Sequence, residues 1–155
     1  MTAPDDWRPN ARMDPWCSVD IDVGAEILFG YAVEHNVLGG LSWARSSRVM
    51  WFSADYSRAQ TMSGRRYSLG QRFELDQFPN EEAKVAFAVL VAPYLDDPHL
   101  APPVEGDLFV AGRWVLACKM ARHLKTAAPP RSDPDAVEEF IMFNQNRYSR
   151  LLMGE

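Results

Sequence analysis

Arginines alternate with aromatic residues between Trp43 and Tyr67, and no other segment of the chain concentrates side chains of chemical interest so densely. A guanidinium beside an aromatic ring can stack on a nucleic-acid base or bind a phosphate. The pattern also fits a core strand whose flanking arginines pack their stems along the rings. The sequence thus predicts either an anion-binding surface or a solvated edge of the core. The basic residues of the predicted surface are Arg45, Arg48, Arg58, Arg65, Arg66, Lys119, Arg122 and Lys125.

Charge is distributed in blocks, although the chain as a whole has a net charge of −5. Residues 45–73 carry six arginines and one acid, and residues 108–131 carry five basic residues and no acid. The blocks around them are acidic. Either the basic blocks pair with the acidic ones within the fold, or both basic blocks bind an anionic partner such as nucleic acid.

Neither a catalytic nor a metal-binding set is apparent. Three histidines are present: His35 near a predicted helix end, His99 after two aspartates and a proline, and His123 five residues after Cys118. Five helical residues turn a side chain through 500°, so Cys118 and His123 do not face each other. The glycines match no phosphate loop and no nucleophile elbow. We therefore predict no catalytic residue, metal or cofactor, and we favour a protein that is not an enzyme.

One segment resembles a known enzyme family. Residues 49–53, a short predicted helix containing Ala59 and a predicted strand over 66–76 are similar to the middle of ADP-ribosyltransferase-like domains. The resemblance covers less than a quarter of the chain. It implies a small enzyme of that type, which would also need a His or Arg on its first strand and a later catalytic Glu. The sequence places neither residue.

Composition limits the class of protein. With 155 residues and 47% hydrophobic content, the chain is long and apolar enough for a folded core. The longest apolar run, residues 85–91, is too short for a membrane span, and the acidic start does not fit a signal peptide. Two distant cysteines favour a reducing compartment. We expect a cytoplasmic protein, with an arginine-rich composition typical of a bacterium or its phage.

Four main helices are predicted. The first covers residues 22–36, where Val23, Ile27, Leu28 and Tyr31 share a face at helical spacing. The second follows Asn80, a good N-cap, and is apolar on nearly every side. The third begins after Asp107 and reaches about Lys125. The last begins at Asp133-Pro134, since proline suits the first position of a helix.

The remaining segments predict a small sheet and an N-terminal arm. Residues 66–76 alternate between apolar and polar and predict a strand; a second strand is predicted over 48–53 and a short helix over 55–61. Residues 1–18, with three prolines, read as an irregular arm, and residues 19–155 as one globular domain. The predicted fold is α+β, with four main helices around a small antiparallel sheet.

The leading hypothesis for function is a non-enzymatic protein–protein interaction component, such as an adaptor, inhibitor, antitoxin-like regulator or assembly subunit. We expect a protein partner or self-association, through Trp7, Trp16, Phe143 and Met153. The alternative is a nucleic-acid or phosphate-ligand binding protein that uses the arginine and aromatic cluster. A small ADP-ribosyltransferase-like enzyme is the second alternative.

Overall fold

The structure, a computed structural model, describes residues 7–22, 24–35, 40–97, 99 and 104–154, without the side chains of residues 22, 34 and 35. The chain divides into two compact units, Met1–Pro102 and Pro103–Glu155. The first unit is called the barrel unit below, and the second the helical unit.

Five strands of the barrel unit form a closed barrel. Each strand pairs antiparallel with the next one along the chain. Because the number of strands is odd, the first and last strands point the same way, and they close the barrel with a parallel pairing. The strands are β1 (Ala11–Asp22), β2 (Ala25–His35), β3 (Ser42–Phe52), β4 (Arg58–Thr61) and β5 (Arg66–Leu69).

The barrel interior is filled by alternate residues of its strands. On the two short strands β4 and β5, Ala59, Tyr67 and Leu69 are buried, as the period of two requires. Met13 and Trp16 of β1 pack beside them. The Trp16 ring is 1% exposed, and its Nε1 donates a hydrogen bond of 3.0 Å to the carbonyl of Gly70. The indole therefore fills the interior and still satisfies its one polar group.

A second aromatic layer lies outside the barrel, against β2 and β3. Helix α1 (Glu81–Leu90) begins at Asn80, whose side chain accepts from the N–H of Ala83, and a 3-10 turn (Ala92–Tyr94) follows it. The Phe87 ring of α1 meets Phe29 of β2 edge-on at 5.3 Å. Phe29 in turn stacks on Trp43 of β3 at 5.4 Å. The helix thus covers one outer face of the barrel with rings.

Two long helices make up most of the helical unit: α2 (Leu108–Leu124) and α3 (Pro134–Leu152). They run parallel, since Arg113 and Glu138 pair near their starts while His123 and Tyr148 meet near their ends. Residues 125–133 must therefore return along the helices. Trp114 Nε1 secures this return segment through a 3.1 Å hydrogen bond to the carbonyl of Pro129.

The predicted arrangement of four helices around a small sheet is wrong. Residues 22–36 lie largely in β2, so the first predicted helix is a strand. The short helix predicted over 55–61, which the ADP-ribosyltransferase resemblance also needs, is the turn before β4 and β4 itself. The strand predicted over 66–76 stops at Leu69, and the one predicted over 48–53 is the second half of β3.

Residues 11–18, interpreted as part of an irregular arm, belong to β1, so the predicted boundary after residue 18 falls inside a strand. The three later helices, capped by Asn80, Asp107 and Asp133, are confirmed. In the described ranges, no helix is both long and apolar enough to cross a membrane.

Candidate nucleic-acid interface

The outward side chains of β4 and β5 are polar and basic. Because alternate residues of these strands fill the barrel, Arg58 and Gln60 of β4 and Arg66 and Ser68 of β5 must point outward. Arg58 lies opposite Ser68, and Gln60 lies opposite Arg66. Two arginines thus occupy diagonal positions on one short antiparallel hairpin.

Further arginines lie where β4 turns into β5. The N–H of Met62 donates to the carbonyl of Arg48 at 2.8 Å, which places Arg48 of β3 beside this turn. Arg65 ends the turn next to Tyr67, and burial raises the pKa of the Tyr67 hydroxyl while the neighbouring guanidinium opposes the shift. Arg48, Arg65 and Arg66 therefore share this end of the hairpin.

Arg72 lies at the opposite end, held between two aromatic rings. Its guanidinium carbon is 5.0 Å from the centre of the Trp16 ring and 5.4 Å from that of Tyr56. One terminal nitrogen donates to Ser18 Oγ at 3.0 Å. Ring contacts and a hydrogen bond together limit the rotamers of an exposed arginine, so less entropy is lost when it binds an anion. We refer to Arg48, Arg58, Arg65, Arg66 and Arg72 as the basic stripe.

Tyr56 is presented by a tightly hydrogen-bonded turn between β3 and β4. Asp55 Oδ1 accepts from the hydroxyls of Ser53 at 2.8 Å and Ser57 at 2.7 Å, and also from the Ser57 N–H. These hydrogen bonds lower the pKa of Asp55 to about 2. Tyr56 has the left-handed backbone (φ 58°), which is uncommon for a residue of its size. Its ring lies 5.0 Å from Phe52 and is 48% exposed.

Residues 7–10 lie along the outside of the hairpin. The backbone N–H of Asn10 donates to the carbonyl of Arg66 at 2.9 Å, and its side chain accepts from the Arg66 N–H at 2.8 Å. Trp7 then packs on Trp51 at 6.0 Å, with the Arg58 guanidinium 5.6 Å from its ring centre. Trp7 is only 6% exposed, so its ring is a fixed surface against which the Arg58 guanidinium packs.

No arginine of the basic stripe forms an ion pair with a carboxylate among the described residues. An ion pair of the barrel unit joins Arg12 and Asp14, at 3.3 Å. Asp55 is the one acid within residues 48–72, and three hydrogen-bond donors already engage it. In the helical unit, by contrast, Arg113 of the other basic block does pair with an acid, Glu138, at 2.8 Å. Residues 48–72 keep a net charge of +4.

The remaining predicted basic residues lie elsewhere. Arg45 is on the α1 side of the barrel, 4.3 Å from the centre of the Tyr94 ring. Lys119, Arg122 and Lys125 belong to α2 and its C-cap in the helical unit. Burial and the nearby Arg122 both lower the pKa of Lys119, which is half-buried. Sequence reasoning left Arg72 out of the predicted surface, because only the fold brings it between Trp16 and Tyr56.

The residues predicted to meet a partner divide into two pairs. Trp7 and Trp16 are core residues, 6% and 1% exposed. Phe143 and Met153 of the helical unit are 88% and 76% exposed. A large apolar residue that is predicted to contact a partner can therefore be either buried in the core or exposed on the surface. The sequence alone does not distinguish the two.

The histidines and cysteines form no reactive cluster in the described part of the chain. His99 is exposed, and its backbone N–H donates a hydrogen bond of 3.0 Å to the Asp97 carboxylate. His123 Nδ1 forms a hydrogen bond of 3.0 Å with the Lys119 carbonyl. The side chain of His35 lies outside the described residues. Burial raises the pKa of the Cys17 thiol to about 12, which makes it inert, and Cys118 is also buried. No group of three metal-ligating side chains occurs in the described ranges.

Comparison of the chain with family models, with curated proteins and with solved structures finds no match. A function for the chain must therefore be inferred from the geometry of each unit.

Proposed function

We propose that this chain is a non-enzymatic binding protein whose barrel unit holds a single-stranded nucleic acid. The observation that carries the proposal is the pairing of Tyr56 and Arg72 at one end of a basic stripe whose arginines form no ion pair with a described carboxylate. An exposed ring beside a fixed guanidinium offers a base a stacking surface and a phosphate a charged donor.

The dimensions of the site favour a short single strand. The hairpin between the two ends of the stripe is four residues long, about 13 Å at the usual rise of a strand. Bases of a duplex are already stacked and offer no free face to Tyr56. A flexible strand can lay its phosphates along Arg58 and Arg66 and place one base on Tyr56.

The overall acidity of the chain is compatible with this site, because the charges are separated. Most acids of the barrel unit lie in the β1–β2 hairpin and around α1, although Glu74 and Asp76 follow Arg72 of the stripe within four residues. A locally positive surface on an acidic protein orients the approach of a polyanion. The two free cysteines fit a cytoplasmic location for this activity, which we propose with it.

The test is fluorescence anisotropy with labelled oligo(dT) and oligo(U), titrated over a series of salt concentrations. For a single strand, each neutralised phosphate contributes about −0.7 to the slope of log K against log salt. Arg58→Gln with Arg66→Gln should therefore flatten the slope by about 1.4. Arg45→Gln is the matched control, since Arg45 is also exposed on the barrel unit but off the stripe, and it should leave the slope unchanged.

The ring is tested separately from the charge. Tyr56→Ala should weaken binding by about 1–3 kcal/mol with the salt slope preserved, whereas Tyr56→Phe should bind like the parent protein. Absence of oligonucleotide binding at low salt would contradict the proposal. Equal binding of polyglutamate, with no effect of Tyr56→Ala, would instead identify the stripe as a surface for an acidic protein.

A protein–protein interaction component, the leading expectation from the sequence, is supported by a different observation. The helical unit exposes large apolar side chains on α3, above all Phe143. This second function would use a surface that shares no residue with the basic stripe.

A further inference from the structure

One side of α3 faces solvent with an apolar centre. At 100° per residue, Ala136, Glu139, Phe140, Phe143 and Arg147 fall within about 100° of each other. The opposite side, which includes Val137 and Ile141, is buried against α2. Phe143 is at the centre of the exposed side and is 88% exposed. Its neighbour Met142 is 74% exposed and lines a groove on this side, and a contiguous apolar patch of this kind is typical of an interaction surface.

This groove lies directly beside the Phe143 ring. It is shallow and open to solvent, with a volume of about 750 Å³. The return segment forms one wall through Ala127, Ala128 and Pro129. Helix α3 forms the other wall through Phe140 and Phe143. The same surface therefore carries both a protruding aromatic ring and an apolar groove that could receive one.

Charges on this side of α3 are arranged symmetrically about Phe143. Glu139 precedes it by four residues, and Arg147 follows it by four. Neither side chain forms an ion pair within the described residues. One turn further out, Asp135 lies on the acidic half of the helix and Arg150 on the basic half. Reversing the direction of the helix about Phe143 thus exchanges acid for base.

We propose that this side of α3 binds a second copy of the chain, with the two α3 helices antiparallel about a two-fold axis near Phe143. Glu139 of each copy then meets Arg147 of the other, and each Phe143 ring enters the groove of the other copy. A two-fold interface uses the same patch twice and needs a patch that is complementary to itself. The ring, the groove and the two opposite charges satisfy that requirement within one surface.

The association does not depend on nucleic-acid binding, and its failure would leave the barrel proposal standing. The first experiment is sedimentation velocity on the full chain over a concentration series. We expect a reversible dimer, and Phe143→Ser should raise its dissociation constant at least tenfold. Phe109→Ser is the matched control, because Phe109 is 75% exposed on α2, and it should leave dimerisation unchanged. Circular dichroism would verify that both variants keep their helices.

The second experiment tests the geometry by reversing single charges. Glu139→Arg and Arg147→Glu should each be mainly monomeric at a concentration where the parent protein is dimeric, because like charges then face each other. Mixing the two variants in equal amounts should restore a dimer, since each chain then offers the charge that the other lacks. A parent protein that stays monomeric at millimolar concentration, a Phe143→Ser variant that dimerises normally, or a mixture that stays monomeric would overturn the proposal.

Discussion

In the barrel unit the largest side chains are buried: Trp16, Phe29 and Phe87 are each 1% exposed or less. In the helical unit the distribution is reversed, with Phe109 and Phe143 at 75% and 88%. The fully buried cluster between α2 and α3 contains no aromatic ring and consists of Ala117, Met120, Val137 and Ile141. The barrel unit thus buries its largest rings, whereas the helical unit leaves two phenylalanine rings exposed.

The two kinds of surface follow from this difference. On the barrel unit, arginines at the surface pack on buried rings. The Arg72 guanidinium contacts the ring of Trp16, and the Arg58 guanidinium contacts the ring of Trp7. In the helical unit, α3 leaves Phe143 exposed, and this ring is the centre of the proposed docking surface. Under the two proposals, charge supports recognition in the barrel unit and apolar area supports it in the helical unit.

The largest effect expected is on folding of the barrel unit. Phe87→Ala removes a fully buried ring that contacts Phe29 and Phe78, so it should lower the free energy of unfolding by about 3–5 kcal/mol. Phe143→Ala, which removes an exposed ring of the same size, should change it by less than about 0.5 kcal/mol. Denaturant titrations followed by tryptophan fluorescence and by circular dichroism measure both. Similar losses for the two variants would contradict the comparison.

A smaller loss should follow from adding one methyl group to the barrel interior. At Gly30 of β2 a Cβ would meet the side chain of Met13 and the carbonyl oxygen of Pro15. Gly30→Ala should therefore cost about 1–3 kcal/mol, as overpacking does elsewhere. Thermal unfolding of the variant measures it. A cost below about 0.5 kcal/mol would show that the interior can adjust, and that the barrel is less tightly filled than its buried rings indicate.

In the helical unit one substitution should have the opposite sign. Lys125 caps α2 in the left-handed conformation (φ 57°), which glycine adopts more readily. Lys125→Gly should stabilise the unit by about 1 kcal/mol. Lys125→Ala is the matched control, because it removes the same charge but keeps a Cβ in the left-handed region, and it should bring no gain. Equal unfolding midpoints for the two variants would show that the conformation of residue 125 costs nothing.

The smallest effect concerns pH and the turn that presents Tyr56. Hydrogen bonds from Ser57 and Ser53 lower the pKa of Asp55 from 3.8 to about 2. The carboxylate therefore stabilises the turn fully above pH 3.8, and this contribution is lost as the pH falls toward 2. An NMR titration of the Asp55 carboxyl carbon measures the midpoint, and Ser57→Ala should move it upward. A midpoint near the ordinary value in the parent protein would show that the turn is not ordered as described.

The sequence predicted the three helices whose starts are marked locally. Asn80, Asp107 and Asp133 cap their helices with their own side chains, and each signal lies within a few residues of the element it begins. Strand β2 was interpreted as a helix because Ile27, Leu28 and Tyr31 also fit helical spacing. Its pairing with β3 contains a register shift between Ile27 and Phe29, which breaks the period of two. A strand that contains a bulge is therefore missed when a sequence is searched for strict alternation of apolar and polar residues.

The candidate sites were predictable only in part, because the local sequence indicates which residues a segment contains but not which distant residues the fold brings together. The composition of residues 45–66 indicated the arginines, but the separation of Arg45 from the stripe depends on α1 packing over β2 and β3. Arg72 meets Trp16 only because β5 closes on β1, a pairing between residues more than fifty positions apart. Phe143 was named as a partner residue from the width of the apolar stripe on the last helix, and exposure of that ring agrees with the proposal.

The parallel course of α2 and α3 has an electrical consequence. Peptide dipoles of parallel helices add, so each helical unit has a partial positive charge of about one elementary unit at the end where both helices begin, and the same negative charge at the other end. Asp107, Asp133 and Asp135 lie at the positive end, and Lys125 and Arg150 lie at the negative end. A second helical unit packed in the reverse direction would place each positive end beside a negative end. The two dipole fields would then largely cancel.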